Sequence, residues 1–70
     1  MSQQEVYLIL KELGGEATTK QISIRAKEKF PDATLYTYVH NRLTKLEKNG
    51  YVKRIAKGKE EFWQIIATYP

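Results

Sequence analysis

Between Asp32 and Gly50 the chain has its most regular pattern of apolar and polar residues. Apolar residues recur there at steps of four, four and three, the spacing that forms one buried stripe on an α-helix. These residues are Leu35, Val39, Leu43 and Leu46. Asp32 or Thr34 can cap the start of such a helix, and Asn49-Gly50 tolerates the left-handed conformation in which helices often end. The pattern predicts a long amphipathic helix over about residues 33–49.

The face of this helix opposite the buried stripe is polar and contains no acidic residue. The outward residues are Thr34, Thr37, Tyr38, Asn41, Lys45 and Lys48, with Arg42 on one flank and His40 on the other. Glu47 lies near the buried edge, on the His40 side. The outward face therefore offers hydrogen-bond donors, acceptors and positive charge.

A first helix is predicted over about residues 3–13. Ser2 and Glu5 have the spacing of a capping box at its start, and Gly14-Gly15 ends it. Its buried stripe is Val6, Ile9, Leu10 and Leu13. Tyr7 lies beside this stripe, and we expect it to pack at the edge of the core.

A second helix is predicted over about residues 19–29. Thr18 and Gln21 repeat the capping-box spacing, after residues 16–17, which leave room only for a very short strand. The core stripe of this helix is Ile22 and Ala26, with Phe30 behind them. Because Pro31 cannot continue the helix, a short turn leads into the long helix, as in a helix-turn-helix.

Past Gly50 the pattern changes to the alternation typical of strands, and residues 51–66 are predicted to form a hairpin. With Gly58-Lys59 as its loop, basic residues pair with acidic and apolar with apolar. The pairs are Val52 with Ile65, Arg54 with Trp63, Ile55 with Phe62 and Lys57 with Glu60. A loop at Lys57-Gly58 is the alternative, and it leaves the same residues facing the helices. They are Val52, Trp63 and Ile65.

Two apolar residues, Phe62 and Ile66, are then predicted to face away from the helices, next to the apolar tail 67–70. Together with Tyr69 they form a candidate contact between two copies of the chain. The alternative is that the tail folds back over them.

A chain of 70 residues is expected to form one domain, 1–70, near the lower size limit for a stable core. It has no cysteine, so tight helical packing or dimerisation must replace a disulfide. The net charge is +4. Charges cancel over residues 1–32, whereas residues 33–61 carry seven basic and three acidic side chains. This segregation suggests a polyanionic partner, most simply nucleic acid. The alternative is a solvated surface on a basic protein.

Other classes of protein fit the composition poorly. With no apolar run of about 18 residues and no secretory signal at its start, the chain is expected to be soluble and cytoplasmic, without a membrane partner. His40 is the only histidine and the acids form no cluster at ligand spacing, so we expect neither an enzyme nor a metal or cofactor. The Lys/Glu-rich, cysteine-free composition with many Ile and Tyr is typical of thermophile proteins.

The order of the predicted elements resembles the winged helix-turn-helix family over nearly the whole chain. The segment TLYTYVHNRLTKLEKNGYVKR, residues 34–54, resembles the recognition helix and first wing strand of small prokaryotic repressors of the penicillinase-repressor, PadR and MarR types. In that pattern Leu43 and Leu46 are core leucines, Gly50 ends the helix and Val52 opens the wing. The resemblance implies an α+β fold with the order helix, short strand, helix, helix, strand, strand.

One subtype of the family, which binds left-handed DNA, does not fit. Its pattern has an Asn and a Tyr on the recognition helix and a Trp in the wing. This chain has Trp63 in the wing, but His40 and Thr44 occupy the other two positions and the wing lacks a proline pair.

The resemblance implies that the third helix enters the major groove of DNA and that the wing lies along the flanking backbone or minor groove. The candidates for base contacts are Thr34, Thr37, Tyr38 and Asn41. The candidates for phosphate contacts are Arg42, Lys45, Lys53, Arg54, Lys57 and Lys59, with Thr19 and Lys20 at the start of the second helix. For Arg54 the alternative is that it lies against the Trp63 ring. Glu60 and Glu61, near the wing tip, oppose a close approach to phosphate.

The sequence thus predicts a homodimeric, sequence-specific double-stranded DNA-binding protein that regulates transcription, of prokaryotic, archaeal or archaeal-virus origin. The alternative is a winged-helix protein-interaction module in a larger assembly.

Overall fold

The computed structural model describes residues 2–31 and 36–70, and for residues 36 and 37 it describes the backbone alone. Within these ranges the fold is α+β, with three helices and three strands in the predicted order. The elements are α1 (Gln3–Glu12), β1 (Glu16–Thr18), α2 (Thr19–Lys29), α3 (Tyr36–Lys48), β2 (Val52–Lys57) and β3 (Glu60–Ile65). The predicted start of the long helix, with Asp32 and Thr34 as its caps and Leu35 in its stripe, lies outside the described residues.

Both predicted capping boxes are confirmed, and they explain why α1 and α2 begin where they do. The backbone N–H of Glu5 donates to Ser2 Oγ at 3.2 Å, and the Ser2 N–H donates to Glu5 Oε1 at 2.7 Å. Thr18 and Gln21 exchange the same two bonds at 3.1 and 2.9 Å. Each box satisfies two backbone donors that have no partner within the helix.

Glycine ends α3 for a conformational reason. Gly50 has φ +84°, a left-handed conformation that strains any residue with a Cβ. This turn lets the Tyr51 N–H donate to the Leu46 carbonyl at 2.9 Å and directs the chain into β2.

The three strands form an antiparallel sheet in the order β1-β3-β2, so β3 is the central strand. The register confirms the loop at Gly58-Lys59 rather than the alternative at Lys57-Gly58. The pairs are Val52 with Ile65, Arg54 with Trp63, Ile55 with Phe62 and Lys57 with Glu60. On its other edge β3 pairs with β1, where Ala17 lies opposite Trp63.

One core joins the helices to a single face of this sheet. The buried apolar residues are Val6, Tyr7, Ile9, Leu10, Ala17, Ile22, Ala26, Val39, Leu43, Leu46, Val52 and Trp63. The described residues of the predicted helix stripes are among them, except Leu13 and Phe30, which are partly buried against the core. Of the predicted inward set on the hairpin, Val52 and Trp63 are fully buried, and Ile65 packs partly buried against the core.

The C-terminal tail packs on the core through tyrosines. Tyr7, which we expected at the edge, is buried, and its hydroxyl donates to the Ala67 carbonyl at 2.9 Å. The Tyr69 ring lies 5.5 Å from the Tyr7 ring and 4.8 Å from the Tyr51 ring, between centroids. These contacts correct the assignment of Tyr69 to the outward patch, because burying the ring against two other aromatic rings is more favourable than exposing it.

The other two residues of the predicted outward patch differ in exposure. Ile66 is 51% exposed, so the tail does not fold back over it. Phe62 is partly buried, because the Lys57 side chain reaches across its ring to pair with Glu16 on β1. The Lys57 ammonium lies 5.2 Å from the Phe62 ring centroid.

Within residues 2–31 and 36–70, none of the helices has the length and apolar character required to span a bilayer.

A matched pair of leucine substitutions tests the position of the core. Leu43→Ala is expected to lower the free energy of unfolding by about 2–5 kcal/mol, because it leaves a cavity at a fully buried position. Leu8 is 48% exposed, and Leu8→Ala is expected to cost about 0.5 kcal/mol or less. Urea denaturation measures both, and equal losses would contradict the burial of α3 described above.

Candidate functional site

The outer face of α3 carries several of the polar residues that the sequence pattern predicted to point outward. Asn41, Lys45 and Lys48 are exposed and lie in one row opposite the buried Val39. We call these three residues the outer strip. The strip spans about 10 Å along the helix axis at 1.5 Å per residue. Neither of its lysines forms an ion pair with a described residue, and it includes no carboxylate.

One flank of the outer strip is formed by Tyr38 and Arg42, one helical turn apart. Arg42 Nη2 donates to the Tyr38 hydroxyl at 2.6 Å, and the guanidinium carbon lies 4.3 Å from the centre of the Tyr38 ring. Stacking and hydrogen bonding together limit the rotamers of both side chains. The pair therefore places a positive charge at a defined position beside the strip.

The opposite flank of α3 faces the β2–β3 hairpin. Arg54 on β2 donates from Nε to both carboxylate oxygens of Glu47, at 3.2 and 3.1 Å, which ties the hairpin to α3. Its guanidinium carbon lies 4.7 Å from the centre of the Trp63 ring, as the alternative for this residue predicted. Arg54 Nη1 also lies 3.7 Å from Glu61 Oε1. Arg54 therefore connects the hairpin to α3 through contacts within the protein.

The remaining basic residues of the hairpin are not gathered beside the outer strip. Lys57 pairs with Glu16 on the sheet face that points away from the helices. Lys53 lies on that same face, since the residue before it, Val52, points into the core. Lys59 is exposed in the loop at the hairpin tip. Lys53 and Lys57 thus lie on the sheet face that points away from the helices, whereas Lys45 and Arg42, with which the sequence analysis grouped them, lie on α3.

Trp63 joins the hairpin to the start of α2 and to α3. It is 1% exposed, and its indole N–H donates to Thr19 Oγ1 at 2.7 Å. The His40 ring meets the Trp63 ring edge-on, with centroids 5.8 Å apart at 70°. Thr19 is 8% exposed, so its hydroxyl is committed to this internal bond, while Lys20 beside it is exposed.

A shallow cleft of about 420 Å³ lies between the start of α2, α3 and the hairpin. Its lining residues are Thr18, Thr19, Lys20, His40, Glu60 and Glu61. Two carboxylates against one lysine make this cleft unfavourable for a phosphate group. The described part of the chain contains no cluster of three or more histidine or acidic residues suited to a metal ion.

Three polar residues of the predicted long helix complete the comparison with the sequence analysis. Thr34 lies outside the described residues, and Thr37 is placed only by its backbone, within α3. The sequence analysis included Lys48 in the outward face of the helix but not among the site residues, although the structure places it in line with Asn41 and Lys45.

Comparison with protein-family models, with curated proteins and with solved structures finds no match to this chain.

The buried hydrogen bond of Trp63 supplies a test of how the hairpin is held. Thr19→Val keeps the shape of the side chain but leaves the buried indole N–H without a partner, so we expect a loss of about 1–3 kcal/mol in the free energy of unfolding. Thr44→Val is the matched control, because Thr44 is exposed and its hydroxyl donates only to the His40 carbonyl within α3. Chemical denaturation followed by tryptophan fluorescence measures both. A loss for Thr19→Val no larger than for the control would contradict the assigned bond.

Proposed function

We propose that this chain is a winged helix-turn-helix protein that binds double-stranded DNA sequence-specifically through α3, as a homodimeric regulator of transcription. The order of elements and the β2–β3 hairpin, packed against the α3 flank, support the winged-helix assignment. In that arrangement α3 is the recognition helix and the hairpin is the wing.

The observation that carries the proposal is the outer strip of α3. A helix with its side chains is about 10–12 Å across, which matches the width of the major groove. Asn41, Lys45 and Lys48 are exposed on the side that would enter the groove, and their face includes no carboxylate. The net charge of +4 acts in the same direction, because positive charge attracts the phosphate backbone at long range.

The residues of this face have separate roles in the proposal. The Asn41 side-chain N–H donates to adenine N7 while its amide oxygen accepts from the adenine N6 amino group, so the amide matches the adenine edge in two places. Tyr38 contacts a sugar or a thymine methyl, and Thr34 and Thr37 are further candidates for base contacts. Lys45 and Arg42 contact phosphate, which sets affinity and register without reading sequence.

Dimerisation belongs to the proposal because it doubles a small contact surface and places two recognition helices about one turn of DNA apart. A roughly palindromic site follows from that symmetry. The exposed Ile66 is the apolar residue of the predicted patch that the structure leaves uncovered by the tail.

The α3 assignment predicts different losses for two substitutions. Lys45→Ala is expected to weaken binding to all duplexes and to reduce the dependence of log K on log salt by about 1, because one phosphate contact is lost. Asn41→Ala is expected to lose about 1–3 kcal/mol of discrimination at a site selected from random duplexes. Fluorescence anisotropy with labelled duplexes measures both effects.

Substitutions of a lysine and of an amide side chain elsewhere serve as controls. Lys27→Ala on α2 and Gln4→Ala on α1 change exposed residues outside α3 and are expected to bind DNA like the parent. If the folded double variant Asn41→Ala with Lys45→Ala also binds like the parent, the α3 assignment is wrong. If the parent binds no duplex even at low salt, the protein-interaction module replaces DNA binding as the proposed function.

The homodimer predicts a mass in solution twice the chain mass of 8.2 kDa. Sedimentation equilibrium over a concentration series, with and without the selected duplex, measures it. A chain that stays monomeric when free and binds the duplex one to one would contradict this part of the proposal.

A further inference from the structure

Two basic residues of the wing are already paired with carboxylates of this chain. Arg54 is bonded to Glu47 and lies beside Glu61, and Lys57 is paired with Glu16. Transfer of either cation to a phosphate would leave these carboxylates without their partners. Moving a paired cation from its carboxylate to a phosphate therefore contributes less binding free energy than a phosphate contact made by an unpaired lysine.

Arg54 has a second reason to stay in place. Its guanidinium stacks on the Trp63 ring at 4.7 Å while its Nε is shared by both oxygens of Glu47. If the guanidinium moved, it would lose both the stacking contact and the bifurcated hydrogen bond. Arg54 thus fixes the wing against α3 instead of extending from it.

The wing side of α3 is also acidic. Glu47 lies on this flank of the helix, and Glu60 and Glu61 line the cleft between the wing and the start of α2. Arg54 and Lys20 balance only two of these three carboxylates, so phosphate groups that approached from this side would meet net negative charge. Like charges at such a contact raise the free energy of binding.

The other side of α3 has the opposite character. Lys45 and Lys48 lie one turn apart, are exposed, and have no ion pair with a described residue. Arg42 lies one turn before Lys45, toward the flank away from the wing, and is stacked on Tyr38. The three cations follow each other at i, i+3 and i+6, about 4.5 Å of helix rise per step.

We infer that the phosphate backbone is held by Arg42, Lys45 and Lys48 along α3, with Lys48 as a further phosphate contact, and that the wing is kept off the DNA by its internal ion pairs and the carboxylates of Glu47, Glu60 and Glu61. This inference rests on the proposed function, and it specifies which side of the recognition helix the polyanion occupies.

A matched pair of lysine substitutions tests the inference. Lys48→Ala and Lys59→Ala remove the same charge from exposed residues that form no ion pair with a described residue. With a random duplex of about 25 base pairs in a salt series, Lys48→Ala is expected to lower the slope of log K against log salt by about 0.9 and to weaken binding several-fold at low salt. Lys59→Ala is expected to keep the parental slope and an affinity within about twofold of the parent, since only a distant charge changes.

A second pair tests whether the acids keep the wing away. Glu60→Gln with Glu61→Gln should strengthen binding more than Glu5→Gln with Glu28→Gln, which changes the net charge equally on α1 and α2. In the Glu60/Glu61 background, Lys59→Ala should now lower the salt slope.

The outcomes distinguish failure of this inference from failure of the proposed DNA binding. If Lys59→Ala lowers the slope of log K against log salt as much as Lys48→Ala does, the inference is wrong while DNA binding stands. The same holds if Lys48→Ala leaves that slope at the parental value. A parent that binds no duplex at any salt concentration would overturn the proposed function and this inference with it.

Discussion

The hydrogen bond from the Trp63 indole to the Thr19 hydroxyl is the contact on which the arrangement of the elements depends. Trp63 lies on the central strand, pairs in register with Ala17 on β1, and is stacked by Arg54 from β2. The same side chain meets α3 through His40 and α2 through Thr19. A buried indole must find a partner for its N–H, so this bond positions the sheet relative to α2, and the ring contact with His40 positions it relative to α3.

The polar face of α3 follows from that packing. Because Val39, Leu43 and Leu46 are fully buried, the residues opposite them have no packing role. Lys45 and Lys48 also lie in the last turn of α3, where positive charge stabilises the helix dipole. Helix stability and attraction of a polyanion thus favour the same residue types at these positions, and only binding measurements separate the two roles.

Local signals in the sequence were sufficient for the elements and for much of the fold. The capping boxes at Ser2 and Thr18 gave correct starts for α1 and α2, because they involve residues only three apart. The hairpin register followed from matching apolar with apolar and Lys57 with Glu60 across a two-residue loop. The outward position of Asn41 and Lys45 followed from helical periodicity alone.

Contacts between residues far apart in the chain could not be predicted in this way. Thr19 and Trp63 are separated by 44 residues, and Lys57 and Glu16 by 41. Their pairing depends on how the sheet is placed on the helices, which no local pattern encodes. The tail shows the same limit, because strand alternation ends at Ile65 and the position of Tyr69 is decided by the rings of Tyr7 and Tyr51.

An NMR titration of the isotope-labelled protein with a short duplex at low salt tests the central claim most directly. If α3 binds DNA, the largest shift changes should fall on the Asn41 side-chain amide and on the backbone amides of residues 41–48, with residues near Leu8 unaffected. Saturable changes centred on the exposed Leu8 and Ile24, with α3 unchanged, would contradict the account.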